Sequence, residues 1–331
     1  MFSRIDAVRG ALALLALGAC ADDGLSPSDD ALGSSSAETQ SLMQPNSWAT
    51  ATPMHTAREG LATATVDGLL YTIGGARLSK AIPTVEAYDP ATQTWSYQPS
   101  LPHRRDDPSG AAVIGDKIYV TGGQDSIFTT KSLYVYNTRR KVWRKRRDLP
   151  VPTKSGVSAA IGGKLYVYTP EGAVYGAMAH LHRYDPATNK WTELATPPAG
   201  HGRGVGGAIA GKFYLAGGVG VGINGTSAEL HVYDPATNQW TARASMPTAR
   251  FDPAGAVFQG KLFVAGGTND LDDYDVVEAY DPTTNTWATK AHMPTKRFSF
   301  AASAAGGLLY AVGGRIDATS TSLATSEVYQ P

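Results

Sequence analysis

The chain has 331 residues, with 29 Lys and Arg against 29 Asp and Glu, so no overall field recruits nucleic acid or a membrane surface. It is 42% hydrophobic and 18% charged, with 36 Gly and 20 Pro, the balance of a β-rich globule. A single cysteine, Cys20, excludes disulfides within the chain.

Taken in chain order, residues 1–19 read as an export signal peptide. Arg4 and Arg9 precede the apolar run from Gly10 to Ala19, which is too short to span a bilayer as a mature helix. The run ends in Leu17-Gly18-Ala19-Cys20, which resembles the lipobox of bacterial lipoproteins. The resemblance implies cleavage before Cys20 and lipidation of that residue; an ordinary secretory signal with an incidental cysteine is the other reading. On the first reading the protein sits in the bacterial cell envelope, outside the cytoplasm, and touches membrane only through its lipid. Ala21, rather than Asp, directly after Cys20 favours the outer membrane. Residues 20–45 are then the lipidated cysteine and a tether. Residues 21–45 carry six serines and five acids without one Lys or Arg, which leaves nothing to bury a core and predicts disorder.

From residue 46 onward the chain repeats. Tryptophan recurs at 48, 95, 143, 191, 240 and 287, at intervals of 47 to 49 residues. Tyr88, Tyr136, Tyr184, Tyr233, Tyr280 and Tyr329 keep the same phase, and a glycine pair closes an apolar run at 74–75, 122–123, 217–218, 266–267 and 313–314. In the third repeat Thr169-Pro170 replaces the pair, so the loop there is expected to leave differently. One repeat of about 48 residues is too short to bury a sheet alone, so the repeats must share a core. The fifth repeat is typical: Ala254–Phe258 and Lys261–Ala265 read as two strands around the Gln259-Gly260 turn, Val277–Tyr280 as a third, and Thr286–Ala288 as the start of a fourth. First strands are small-residue strands (Ala62-Thr-Ala-Thr65, Gly206-Gly-Ala208, Ala301-Ala-Ser303), as strands converging on an axis require. Four antiparallel strands repeated radially predict an all-β, six-bladed β-propeller over residues 46–331. The last repeat lacks a Trp of its own, while Trp48 stands before the first inner strand, so the N-terminal strand is predicted to close the last blade.

The paired glycines, the acids two residues before Tyr in Glu86, Glu278 and Glu327, and the spaced Trp together resemble the kelch repeat; repeats two to four depart, with Tyr134, His182 and His231 in place of the acid. The resemblance implies a binding module. It also leaves open a kelch enzyme class, the six-bladed exported sialic-acid mutarotases, which need an acid/base pair beside an Arg that holds the sugar carboxylate. Glu59, Asp106, Asp252 and His201 are the catalytic candidates on that reading. Kelch-type copper oxidases such as galactose oxidase use a Tyr–Cys radical; the single cysteine, Cys20, stands twenty residues from the start at the expected lipidation position, which excludes that chemistry here. No Gly-x-Ser-x-Gly, His-Glu-x-x-His or P-loop is present, and no cofactor is expected.

The linkers between blades and the loops after the glycine pairs are predicted to share one face. There the linkers deliver Arg58, Arg105, Lys154, His201, Arg203, Arg250 and Arg297. These cations read either as an anion-binding funnel, since Arg forks suit carboxylates, or as ties between blades. Asp270, Asp272, Asp273 and Asp275 offer oxygen ligands for Ca²⁺ or form a solvated acidic loop. Arg139–Arg147 holds seven cations in nine residues on the outer strand of the second blade, suited to an anionic surface or to protection of the sheet edge. The expectation is a lipid-anchored module recognising an anionic carbohydrate or a protein loop on the Arg-lined face. A sugar mutarotase or epimerase on that face, or a passive envelope scaffold, are the alternatives.

Overall fold

The computed structural model describes residues 43–125, 127–171, 178–197, 201–219, 225–316 and 321–331. The expected export signal, Cys20 and the expected tether up to residue 42 lie outside the described residues. Every regular element described is a strand.

Six four-stranded antiparallel sheets form the blades. Blade 1 comprises Ala62–Val66, Leu69–Ile73, Val85–Asp89 and Thr94–Gln98, and blade 5 comprises Ala254–Phe258, Lys261–Ala265, Val277–Asp281 and Thr286–Lys290. Blade 6 takes Ala301–Ala305, Leu308–Val312 and Ser326–Gln330, and its outer strand is Ser47–Ala51, with Trp48 opposite Tyr329. Inner strands of neighbouring blades touch all the way round, so the ring closes. The close approach explains the small residues. A Cβ on Gly255 would sit 2.6 Å from the Val205 side chain, where the inner strands of blades 4 and 5 meet.

The periodic Trp has a definite task. Each stacks on the Tyr of its own blade at 4.9–5.3 Å between ring centroids. Each also donates its indole N–H to a backbone carbonyl next to the preceding blade's outer strand, as Trp240 does to Ala195 and Trp287 to Ala244. Trp48 donates to Ala291 in the same way, so the chain-end seam repeats the contact made within the chain. Apolar clusters fill each gap between blades; the one joining blades 5 and 6 packs Phe263, Met293, Leu309 and Tyr329.

The glycine pairs work through backbone geometry. Gly75 has φ +97°, and a Cβ there would meet the Glu59 carbonyl at 2.5 Å, so only glycine lets the loop dock on the linker. Blade 3, with Thr169-Pro170, makes no such turn. Its second strand runs straight on to Glu171, pairing Thr169 with His180.

Candidate functional site

The linkers entering each inner strand build a single feature. Gly60, Asp107, Ser155, Arg203, Asp252 and Ser299 occupy equivalent positions, one per blade, and all adopt left-handed backbone with φ between 45° and 60°. Asp107 N–H donates to Gly60 O (3.0 Å), Ser155 to Asp107 (2.9 Å), Arg203 to Ser155 (3.1 Å), Asp252 to Arg203 (2.8 Å), Ser299 to Asp252 (3.0 Å) and Gly60 to Ser299 (2.7 Å). Six hydrogen bonds thus close a ring around the propeller axis. Five non-glycine residues in this conformation cost about 1–3 kcal/mol each, whereas a hydrogen bond returns about 1 kcal/mol. Packing of the blades beneath must therefore hold the ring in place.

The ring frames an axial cavity of ≈ 180 Å³, lined by its own side chains and by the first residues of the inner strands. Asp107 and Asp252 stand three steps apart, on opposite sides. Arg203 grips Asp252 with both Nε (2.9 Å) and Nη2, and Ser299 Oγ donates to the same carboxylate (2.9 Å). The guanidinium of Arg203 lies over the Phe251 ring at 4.3 Å.

One residue earlier in each linker stand Glu59, Asp106, Lys154, Gly202, Phe251 and Phe298. Glu59 faces Arg315 at 3.7 Å, and Lys154 Nζ donates to Gln124 Oε1 at 2.7 Å. Burial, then the Asp106 and Asp252 carboxylates, push the Asp107 carboxyl up to about 7. Burial, then Glu59, raise Asp106 to about 6, and burial also raises Glu59. The mouth is therefore a place of concentrated negative potential, only partly offset by Lys154, Arg203 and Arg315.

Two residues before the ring lies a buried slot, and it corrects the expected cationic funnel. Arg58, Arg250 and Arg297 are 0% exposed. Their Nη2 atoms bond Glu86, Glu278 and Glu327, and their Nη1 atoms bond the carbonyls of Gly74, Gly266 and Gly313. Burial pushes Arg58 and Arg297 down to about 10 and lowers Arg250. Arg105 is buried as well, donating to Ser132 Oγ (3.0 Å) beside the Tyr134 ring. These four guanidinium groups bind the loop after the glycine pair, or the third strand, from within the blade and offer nothing to a ligand. Lys154 does not belong to the slot; Thr153 fills it.

In blade 4 the slot holds His201, also 0% exposed. Its Nδ1 bonds the Gly217 carbonyl at 2.8 Å and its Nε2 faces His231 Nδ1 at 2.9 Å. Burial pushes His201 down to about 4 and lowers His231, so both rings are neutral. His201 is thus withdrawn from the mouth and is no acid/base for a ligand there. Of the expected catalytic group, Glu59, Asp106 and Asp252 do come together. Asp107, Ser155 and Ser299 join them unforeseen, although they share the repeat phase of Arg203 and Asp252.

Asp270, Asp272, Asp273 and Asp275 do not converge as a calcium site. They are absent from the carboxylate and imidazole groups whose ligand atoms approach within 4.8 Å among the described residues, and Asp275 pairs with His292 at 3.0 Å. Arg139–Arg147 lies on the turn and outer strand of blade 2, with Lys145 paired to Asp148 at 3.2 Å.

Comparison with known proteins agrees with this architecture. Residues 109–314 match the KLHDC2/KLHL20/DRC7 Kelch-repeats domain, and residues 57–102 match the Kelch motif. The "Influenza virus NS1A-binding protein homolog" of Mus musculus is 38% identical over 73 residues, which is 22% of this chain and 11% of that protein. "Kelch-like protein 26" of Danio rerio is 36% identical over 78 residues, 24% of this chain and 13% of that protein. The chain thus spans little more than a tenth of these relatives' length. Among solved structures, "Structure of YjhT" superimposes with a TM-score of 0.70 at 15% identity, covering 84% of this chain and 96% of that one, a likeness of fold. With the first of these matches running over more than half of its length, the chain belongs to the kelch-repeat family.

Proposed function

We propose that this chain is a protein-binding module whose axial mouth takes a cationic side chain from a loop of its partner. Kelch propellers are in general binding or scaffold modules that engage other proteins. The observation that carries the reading is Asp107, which lines the cavity with Asp106 beside it in the linker; burial and then neighbouring carboxylates, Asp106 and Asp252 for Asp107 and Glu59 for Asp106, raise both carboxyls. An incoming ammonium or guanidinium relieves the repulsion among these carboxylates. The expected anionic glycan loses its support because four arginines are buried and the fork of Arg203 is already held by Asp252. Around the mouth, loops that bond to the linkers end in exposed apolar tips, Leu78, Ile127, Phe128 and Leu271, which suit a protein surface.

A peptide library bearing Lys, Arg or Gln at its centre tests this. Cationic members are expected to bind, more weakly in high salt, and Asp107→Asn is expected to lose at least tenfold in affinity. Equal binding of the Gln members, or binding of anionic glycans instead, would sink the reading.

A second reading has its own support. A carboxyl near 7 both gives and accepts a proton at neutral pH, and Asp107 faces Asp252 across the cavity, as acid–base opening of a sugar ring needs. Anomerisation of N-acetylneuraminate and neutral sugars, followed by NMR, measures it directly; a rate equal to buffer rejects it. Anchoring in the bacterial envelope through Cys20 also belongs to the proposal, on the Leu17–Cys20 motif. Cys20→Ser is expected to release the protein from membranes, and unchanged fractionation refutes the anchor.

A further inference from the structure

Blade 4 differs from blades 1, 5 and 6 in one slot, and the difference goes beyond the mouth and its partner. Where they hold Arg against Glu, blade 4 holds His201 against His231. The Gly217 carbonyl can only accept, so the proton of His201 sits on Nδ1 and its Nε2 carries a lone pair. His231 therefore donates from Nδ1. Glu229, two residues before His231 on the strand Thr226–Asp234, brings its carboxylate to the same point: ligand atoms from all three residues lie within 4.8 Å of one another.

We propose that His201, His231 and Glu229 form a binding site for a divalent first-row transition metal, zinc above all. Two imidazoles and one carboxylate are a donor set that suits zinc and its neighbours rather than calcium or magnesium, which take oxygen ligands. The His201 Nδ1–H···O=C bond to Gly217 is the outer-shell contact that fixes the tautomer and aims the other nitrogen of a metal-bound imidazole. His231 needs only to move its proton from Nδ1 to Nε2. Zn–N bonds of about 2.0–2.1 Å place two nitrogens of a tetrahedral site about 3.3 Å apart. His201 Nε2 and His231 Nδ1 stand 2.9 Å apart, so the two nitrogens must spread by only a few tenths of an ångström. Glu229 is exposed and gives the ion its way in, while His201 is buried and supplies the rigid anchor. Three protein ligands leave a fourth position open for water or for a donor from a partner.

A second cluster, His180, His182 and Glu193 on blade 3, is the internal competitor. There His180 Nδ1 already meets Glu193 at 2.6 Å, and that bond holds the carboxylate below its ordinary range, so the acid is engaged by an imidazole of its own blade.

The full chain titrated with Co²⁺ and Zn²⁺ decides the matter. One equivalent of Co²⁺ is expected to give the strong visible absorption of a four-coordinate ion, and Zn²⁺ to raise the melting temperature. The double substitution His201→Arg/His231→Glu installs the pair that blades 1, 5 and 6 already use. It is expected to fold, to lose the Co²⁺ spectrum and to lose the Zn²⁺ shift. Glu229→Gln, at an exposed position that does not endanger folding, is expected to weaken binding at least tenfold, and Glu193→Gln to leave it unchanged. Metal uptake that survives in the double variant or in Glu229→Gln, uptake lost in Glu193→Gln, or no uptake by the parent chain overturns the proposal.

Discussion

Blades 1, 5 and 6 and blades 2, 3 and 4 solve the same local problem differently. Each must hold the loop after its second strand against the third strand. The first group does it with a fully buried Arg–Glu pair whose second guanidinium nitrogen caps a glycine carbonyl. Blade 2 keeps the Arg but sets it beside Tyr134 and Ser132; blade 3 has Thr153 and His182; blade 4 has the neutral His201–His231 pair. A desolvated ion pair tolerates no partial loss, whereas a neutral pair leaves less behind when broken. The difference teaches that one slot can be filled by a buried ion pair in three blades and by an uncharged imidazole pair in blade 4.

The largest expected effect breaks the charged version. Arg250→Ala strands Glu278 inside blade 5 and is expected to cost about 3–5 kcal/mol in chemical denaturation. A loss under about 1 kcal/mol would show that the pair is not buried in solution. Next comes the neutral version: His231→Ala, measured without metal, should cost about 1–3 kcal/mol, the penalty of one unsatisfied buried ring nitrogen. If it costs as much as Arg250→Ala, the two groups of blades do not differ in the way described.

The smallest effect concerns the mouth and has a sign fixed by linkage. The folded chain holds the Asp107 proton more tightly than the unfolded chain does. That contribution to stability is complete below the ordinary carboxylate range and is lost as pH rises through about 7. Asp107→Asn should therefore flatten the fall in melting temperature between about pH 4 and pH 7, and melt above the parent at the alkaline end. A variant whose melting temperature tracks the parent at every pH would place the Asp107 carboxyl in ordinary solvent.

Much of this was legible before any coordinates. The Trp phase, the small first strands and the missing last Trp led to six blades and to the Trp48 seam, because each reflects packing that a repeat must satisfy in every copy. The site was harder to read. A period places residues one per blade but does not say which way a side chain points, and the left-handed turn at the ring sends neighbouring positions to opposite destinations. Arg58, Arg250 and Arg297, two residues before the ring, go inward, while Asp107, Arg203 and Asp252 on it line the cavity. Lys154 was grouped with the arginines by charge, although its phase is that of Glu59 and Asp106. The His201–His231 contact joins residues 30 apart and has no motif spacing to announce it.

The central claim is that the ring carries function while the slot two residues before it carries the fold. Measuring cationic-peptide affinity and melting temperature on Asp107→Asn and Arg250→Ala tests it most directly. The account predicts that Asp107→Asn loses affinity at least tenfold while melting no lower than the parent. Arg250→Ala should melt far lower yet, below its melting temperature, bind as the parent does. The reverse pattern, with affinity lost in Arg250→Ala and kept in Asp107→Asn, would contradict it.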